Sequence, residues 1–460
     1  MKINAIVVSN KIRRILVGPV AGVFRPPQIF RSCLAIAIIV SSWSAYAGTT
    51  DGELRVDGTR LNASMEQMKE FGRNSSGGSA RVAFSEANRR AYVYLRKLMT
   101  DAGLSTRIDP AGNLIGHRDG KKSGLAPIIA GSHIDTVPNG GHYDGIVGVM
   151  GAIEVARTMH DADYRTHHPL EIIVWSNEEG GKTGSRALNG SVAEKELGLP
   201  SLGDNSIGEG LRLLGGDPDR LSEVERKPGD ISGYIELHVE QGAILDREKI
   251  SIGVVEGIVG IKRWNITVHG FANHAGTTPM DHRQDALYAA SRFITEVRRI
   301  ITAESGRQVA TVGRIRAFPG APNVIPGEVR LSLEIRDLSM EKIDLFFNRI
   351  REATTVLAEN TDTTIDFEQF YLSPAAVTDT RISDLIEASA KELGLSAMHL
   401  PSGAGHDAQS IAPIGPIGMI FIPSLNGISH APSEFTSEQQ ITDGANVLLK
   451  TIIGMDQLLQ

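Results

Sequence analysis

GSHIDTVPNGGHYDG, residues 131–145, is the stretch on which the fold turns. Just before it, residues 127–130 (PIIA) make an apolar run of the kind that forms a buried strand. The run ends in His133-Ile134-Asp135 and then breaks into a loop rich in Gly, Pro and Asn. Side chains alternate along a strand, so His133 and Asp135 are predicted to point the same way while Ile134 packs behind them. A histidine and a carboxylate at such a strand end suit a metal ligand and a residue that orients it. Asp144 stands at the far end of the loop, ahead of a run (146–156) that reads as a helix. Taken alone, the pattern fits equally well polar residues that decorate a loop mouth.

Working outward, residues 85–102 carry apolar side chains at helical spacing (Ala87, Ala91, Val93, Leu95, Leu98, Met99), with Ser85 placed to cap them. Short strands are predicted near 105–108 and 113–117, and a buried strand over 170–177 (LEIIVWSN). This β-α-β alternation implies an α/β fold with a mostly parallel sheet covered on both faces. Ligands in such sheets gather beyond the carboxyl ends of the strands. There the 170–177 strand runs into Glu178-Glu179 and Gly180-Gly181. Two adjacent carboxylates beside an apolar sheet repel each other, and a dication would relieve them, one glutamate binding it and the other left free as a base. A solvated acidic turn is the alternative. A further strand over 233–241 (GYIELHVEQ) sets Glu236, His238 and Glu240 on one face, and residues 417–422 lead into Gly427-Ile428-Ser429-His430. Histidines and carboxylates from separate strand ends suit zinc, manganese or cobalt, and Asp144 could bridge two such ions about 3.5–4 Å apart.

The amino-terminal segment reads as an export signal. Lys2, Lys11, Arg13, Arg14, Arg25 and Arg31 make its basic region, residues 34–40 (LAIAIIV) its apolar core, and Ala45-Tyr46-Ala47 its cleavage site. An uncleaved amphipathic arm is the alternative. The single cysteine, Cys33, lies inside this segment, so a chain processed after Ala47 has no thiolate or disulfide, and any metal must be held by His, Asp and Glu. With 41% hydrophobic and 22% charged residues and a formal net charge of -7, the chain is expected to be globular. No basic run follows the export segment, which argues against a nucleic-acid surface.

Five motifs in order, H-x-D (His133, Asp135), D-G (Asp144, Gly145), N-E-E-G (177–180), E-L-H-V-E-Q-G (236–242) and G-I-S-H (427–430), resemble the zinc aminoacylase/carboxypeptidase superfamily. H-A-G-T-T-P-M (274–280), P-N-V-I-P-G (322–327) and S-G-A-G-H-D-A (402–408) narrow the resemblance to its amidohydrolase branch. That branch holds N-carbamoyl-L-amino-acid hydrolases, β-ureidopropionases and allantoate amidohydrolases. The resemblance implies two divalent ions per subunit, zinc first, with manganese, cobalt or nickel as alternatives. It makes His133, Asp144, Glu179, His238 and His430 their ligands, with Asp144 the bridge. Glu178 becomes the general base, Asp135 the residue that orients His133, and His274 the donor to the tetrahedral oxyanion. Gln241, Asn323, Arg336 and Gly405 become substrate contacts, Arg336 pairing with the substrate carboxylate.

The implied reaction is hydrolysis of a ureido or amide C–N bond, a carbamoyl group leaving as CO2 and NH3. The implied layout is a signal over 1–47, a catalytic domain split into 48–254 and 371–460, and an α+β lid over 255–370 that forms a homodimer. Alternation over 264–268 and 329–335, with helical spacing over 287–301 and 340–357, agrees with such a lid. The expected location is the periplasm, with no membrane span after signal removal. Two other readings stand beside this one, an exported dinuclear metallopeptidase or aminoacylase and a silent binding protein. The chain departs from the branch in one place: Gly180-Gly181-Lys182-Thr183 runs almost directly into G-S-R-A (184–187), so the loop beside the base is short.

Overall fold

In the computed structural model, which describes residues 54–459, the apolar run before His133 is a strand near the middle of a nine-stranded sheet. The predicted export segment, 1–47, lies outside the described residues. In chain order the first strands of this sheet are β1 (Ser105–Ile108), β2 (Leu114–Arg118), β3 (Ile128–His133), β4 (Leu170–Trp175), β5 (Gly233–Val239) and β6 (Ile252–Ile258). The chain then builds a separate sheet from β7 (Gly260–His269), β9 (Val309–Phe318), β11 (Glu328–Asp337) and β12 (Thr364–Ser373). Two short strands, β8 (Asn273–His274) and β10 (Val324–Ile325), pair as a ribbon. It returns to the first sheet with β13 (Ala376–Val377), β14 (Ala397–Ser402) and β15 (Ile417–Ile422).

The main sheet runs β1-β2-β4-β3-β5-β15-β6-β13, with β14 beside β6. Its four central strands, β4, β3, β5 and β15, are mutually parallel, and antiparallel pairings lie towards both edges. Strands covered on both faces should be apolar at every position, and β3, β4, β5 and β15 are buried throughout. Alternate side chains divide between two cores. Ile128, Ala130, Ile172, Val174, Ile235, Leu237, Ile420 and Ile422 join helices Ile146–Asp161 and Glu438–Leu458 on one face. Ile129, Ile173, Trp175, Tyr234, Met419 and Phe421 pack on the other. The helix predicted over 85–102 spans Glu86–Asp101, and Ser85 caps it by accepting the Asn88 amide at 3.1 Å.

The second sheet is antiparallel in the order β12-β7-β11-β9. Trp264, Ile266 and Val268 with Val329, Leu331, Leu333 and Ile335 bury one face under helices Ala286–Thr302 and Met340–Glu359. Those are the two strands and two helices whose periodicity was legible. The outer strands β9 and β12 keep mostly exposed residues, so their sequences carry little period-two signal. Among the described residues no helix is long and apolar enough to cross a membrane.

The parallel arrangement brings four carboxyl ends together. His133 closes β3, Asn177 to Glu179 follow β4, His238 sits one residue from the end of β5, and the loop bearing His430 follows β15. The helix that carries Asp144 ahead of it must lie close on the sheet, and Gly148 permits this: a Cβ there would stand 2.2 Å from the Leu237 carbonyl oxygen and 2.7 Å from the Ser132 Cβ. Gly148→Ala is therefore expected to destabilise the protein by about 1–3 kcal/mol through overpacking, read as a lower urea midpoint. An unchanged midpoint would contradict this close approach.

Candidate metal centre

Asp144 is the meeting point. It is buried at the end of the 131–145 loop, and its two carboxylate oxygens face different partners. Oδ1 lies 3.4 Å from His133 Nε2 and 3.3 Å from His238 Nε2, whereas Oδ2 lies 3.2 Å from His430 Nε2. His430 Nε2 is also 3.4 Å from Glu179 Oε1, and His133 Nε2 is 3.9 Å from Glu178 Oε2. Two ligand groups result, His133-Asp144-His238 and Asp144-Glu179-His430, each with donor atoms within 4.8 Å of one another. The adjacent glutamates thus turn to different histidines.

The ring orientations test whether a cation fits. His133 Nδ1 lies 3.0 Å from the Asp135 carbonyl oxygen, and His238 Nδ1 lies 2.9 Å from that of Val239. A carbonyl only accepts, so each Nδ1 carries the proton and each Nε2 of the neutral ring presents a lone pair. His238 Nε2 also accepts the Gly145 amide at 3.1 Å. Each Nε2 also stands within 3.4 Å of Asp144 Oδ1, a contact between two acceptors that repels unless the rings are protonated or a cation lies among them. The donor set therefore fits divalent ions held by nitrogen and oxygen.

The electrostatics agree. Burial opposes charge on His133, yet the Asp144 hydrogen bond and the charges of Glu178 and Asp135 raise it well above the usual range. The Asp144 hydrogen bond lifts His430 to about 9 against the opposing effect of burial. Burial, then the charges of Asp144 and Glu178, push Glu179 up to about 8. Burial also raises Glu178, against the lowering charges of His133 and Lys182. Carboxylates gathered this closely are held from ionising together, which a dication would reverse.

Asp135 orients its neighbours by a route that alternation alone did not indicate. Its carboxylate is 3.8 Å from His133 Nδ1 and instead accepts the amides of Glu178 (3.2 Å) and Glu179 (3.0 Å). The ring of His133 is held by the Asp135 backbone. Glu240, expected on the His238 face, caps the helix Ile244–Glu248 by accepting the Ile244 and Leu245 amides, because β5 ends at Val239. Glu236, His238 and His406 make a third close group, but Glu236 is occupied by Ser132 Oγ and the Ala408 amide, and His406 Nε2 by Ser402 Oγ.

Of the predicted substrate contacts, Gln241 joins the centre: its Nε2 donates to Asp144 Oδ2 at 2.6 Å. Arg336 donates to Glu334 and, at 2.6 Å, to the Gly403 carbonyl, two residues before Gly405. His274 and Asn323 meet at the exposed β8–β10 ribbon, where the Ala275 amide donates to the Asn323 carbonyl. Among the described residues no hydrogen bond or ion pair joins either to the histidine-carboxylate group. Two contributors escaped the sequence reading. Glu434 accepts the Asp144 amide at 2.8 Å, and Ser429 Oγ donates to Asp144 Oδ2 at 2.9 Å. Ser429 lay within the G-I-S-H motif, whereas Glu434 carried no motif signal.

The family model for peptidase family M20/M25/M40 matches residues 129–454. An N-carbamoyl-L-amino acid amidohydrolase of Geobacillus stearothermophilus is 37% identical, over 87% of this chain and 99% of its own. An allantoate amidohydrolase of Escherichia coli is 32% identical, over 84% and 95%. Among solved structures, an amidase of the hydantoinase/carbamoylase family from Burkholderia multivorans superposes with a TM-score of 0.81 at 33% identity, over 87% and 98%.

Stripped of metal, the folded chain retains protons that the unfolded chain has released, on Glu179 between 4.5 and about 8 and on His430 between 6.5 and about 9. Both shifts have the same sign, so the stability of metal-free protein is expected to fall as pH rises from 6.5 to about 8. A divalent ion added at the upper end should restore it. Thermal unfolding of chelator-treated protein across this window checks the sign, and a melting temperature that rises would refute it.

Proposed function

The chain belongs to peptidase family M20/M25/M40, and we propose that within it the protein is a metal-dependent amidohydrolase that cleaves the ureido or amide C–N bond of N-carbamoyl amino acids or related ureido acids. The observation that carries this reading is one buried carboxylate, Asp144, shared by three imidazoles with a glutamate on either side. The names of the amidohydrolase relatives support the ureido class.

In this reading His133, Asp144 and His238 hold one ion, and Asp144, Glu179 and His430 the other, with zinc first and manganese, cobalt or nickel as alternatives. Two such ions would polarise the scissile carbonyl and lower the pKa of the attacking water. Glu178 takes the proton of that water and returns one to the leaving nitrogen. Asp135 holds the Glu178 amide and so aims the base.

Arg336 binds the substrate carboxylate through its fork, with Asn323, Gln241 and the Gly405 backbone completing the contacts. His274 donates to the developing oxyanion. Its Nδ1 accepts the Gly276 and Thr277 amides at 3.0 and 3.2 Å, which leaves the proton on Nε2, the tautomer an oxyanion requires. The exposed position of His274 suits a group completed by assembly, in which the partner subunit's His274 reaches the centre of a homodimer formed through the second sheet. The second sheet and its helices, which span 260–373 rather than the expected 255–370 because Val255 to Ile258 close β6 of the main sheet and Tyr371 to Ser373 close β12, then act as the lid and dimer contact. Export to the periplasm through residues 1–47 gives a scavenging role.

A panel of N-carbamoyl, N-acyl and dipeptide substrates, run after chelation and re-addition of single metals, tests the reaction class. Turnover of the dipeptides alone would overturn it. Glu178→Gln should keep its metal by elemental analysis while losing roughly 10²–10⁴-fold in kcat; near-normal turnover would remove Glu178 as the base. Cell fractionation that finds the protein in cytosol only would refute export.

A further inference from the structure

Beside the base, the chain turns from Glu178 to a new helix within four residues. The amides of Gly181 and Lys182 both donate to the Glu178 carbonyl at 3.0 Å, Lys182 adopts a left-handed conformation at φ 58°, and helix Thr183–Leu188 begins. That turn directs Lys182 across to the loop between β14 and the short helix Asp407–Ile411. Its Nζ donates to Gln409 Oε1 at 2.5 Å, and a Cβ on Gly405 would lie 3.2 Å from the same nitrogen. The orientation of the Gln409 amide is settled by its other end, because Nε2 donates to the Pro374 carbonyl at 2.6 Å. Lys182 is thus held against a neutral oxygen. Among the described residues no carboxylate stands within ion-pair distance of it.

A half-buried ammonium whose hydrogen-bond partner is an amide oxygen retains unused donors, and its charge, though felt by Glu178, has no direct ion-pair partner among the described residues. Arg336 reaches the same loop from the second sheet, on the Gly403 carbonyl. Two cations from different parts of the chain therefore meet the segment 403–405, Arg336 at the Gly403 carbonyl and Lys182 beside Gly405. Only one of them is needed for the single carboxylate of an ordinary N-carbamoyl amino acid.

We propose that Lys182 is a specificity-determining residue that binds a second anionic group on the substrate, so that the enzyme favours ureido acids with two carboxylates. The inference rests on the amidohydrolase reading and names the substrate class of that site. The first carboxylate pairs with Arg336, and the second displaces the Gln409 oxygen from Lys182 Nζ, exchanging a neutral acceptor for a charged one. Gly405 has no side chain to stand between them.

The test compares kcat/KM for N-carbamoyl-L-aspartate and N-carbamoyl-L-glutamate with that for N-carbamoyl-L-leucine and N-carbamoyl-L-methionine in the metal-loaded full-length protein. The wild type is expected to favour the acidic pair. Lys182→Met should reduce the acidic-to-neutral ratio by roughly tenfold or more, mainly through KM, the scale of one hydrogen bond to a charged group. Lys182→Arg should retain the preference, and this guards against mistaking a folding defect for loss of a charge. If Lys182→Met lowers all four substrates alike, Lys182 merely braces Gln409 and the proposal falls while the amidohydrolase reading stands. If the wild type turns over none of the four, nor allantoate, both fall together.

Discussion

Repulsion among buried carboxylates is the constraint from which the rest of this structure follows. Asp135, Asp144, Glu178, Glu179 and Glu434 crowd one end of the sheet, and lone pairs of His133 and His238 face the same point. No packing of apolar residues offsets such a concentration of charge and lone pairs; only positive charge does. The protein supplies little of its own. Arg81 is fully buried nearby, yet its guanidinium is spent on the carbonyls of Ile134, Met68 and Phe71. Burial lowers its pKa to about 10, so even there the charge is held at a penalty. Arg81 fastens the backbone between His133 and Asp135, and the balance of charge is left to ions from outside.

Holding such a set in register strains the backbone. Asn177, Lys182, Gln241 and His430 are non-glycine residues at positive φ, and all lie in or beside the histidine-carboxylate group: Asn177 precedes Glu178, Lys182 closes the turn after it, and Gln241 and His430 face Asp144. Left-handed conformations of this kind survive only where surrounding contacts over-determine them. At Gln241 the amide is fixed by Ser424 Oγ and the side chain by Asp144. The left-handed turn at Gly145 lets the chain pass so near His133 that a Cβ there would stand 2.5 Å from Nε2. Gly141 does the same for Glu434, whose Oε2 would meet a Cβ at 1.8 Å. Such glycines are the steric counterpart of the electrostatic crowding.

This division explains what could be read from sequence. The parallel core was legible because β3, β4 and β15 carry apolar runs, as strands buried on both faces do, and because β5 alternates apolar residues with Glu236 and His238. The candidate histidines were legible because His133 and His238 lie at strand ends and His430 in the loop that follows β15. Glu434 was not, since its bond to the Asp144 amide spans 290 residues and depends on a loop with no periodicity. Asp135 misled in detail for a related reason. Alternation predicts the face a side chain takes, but beyond the last ladder bond of β3 at His133 the backbone turns, and its carbonyl replaces the carboxylate as partner of the ring. Outer strands β9 and β12 escaped because only short stretches of them, such as Ala310 with Val312 and Ile365 with Phe367, turn alternate residues onto the core, and the rest is exposed.

The connection between the two sheets carries the same logic into motion. Chain leaves the main sheet at Val259 and returns at Pro374, and the carbonyls of both residues face Gln409 Nε2, at 3.5 and 2.6 Å. The other end of that amide holds Lys182, four residues from Glu178. A displacement of Val259 or Pro374 must therefore either break the Gln409 contacts or move Gln409, and with it the support of the turn after Glu178. Arg336 adds a second tie, from β11 to the Gly403 carbonyl. A substrate carboxylate that drew Arg336 away would loosen the same loop from the other side. The segment 403–409 is where β11, the two crossings between the sheets and the turn after Glu178 share hydrogen bonds, so a change in any one is felt by the others without passing through His133, His238 or His430.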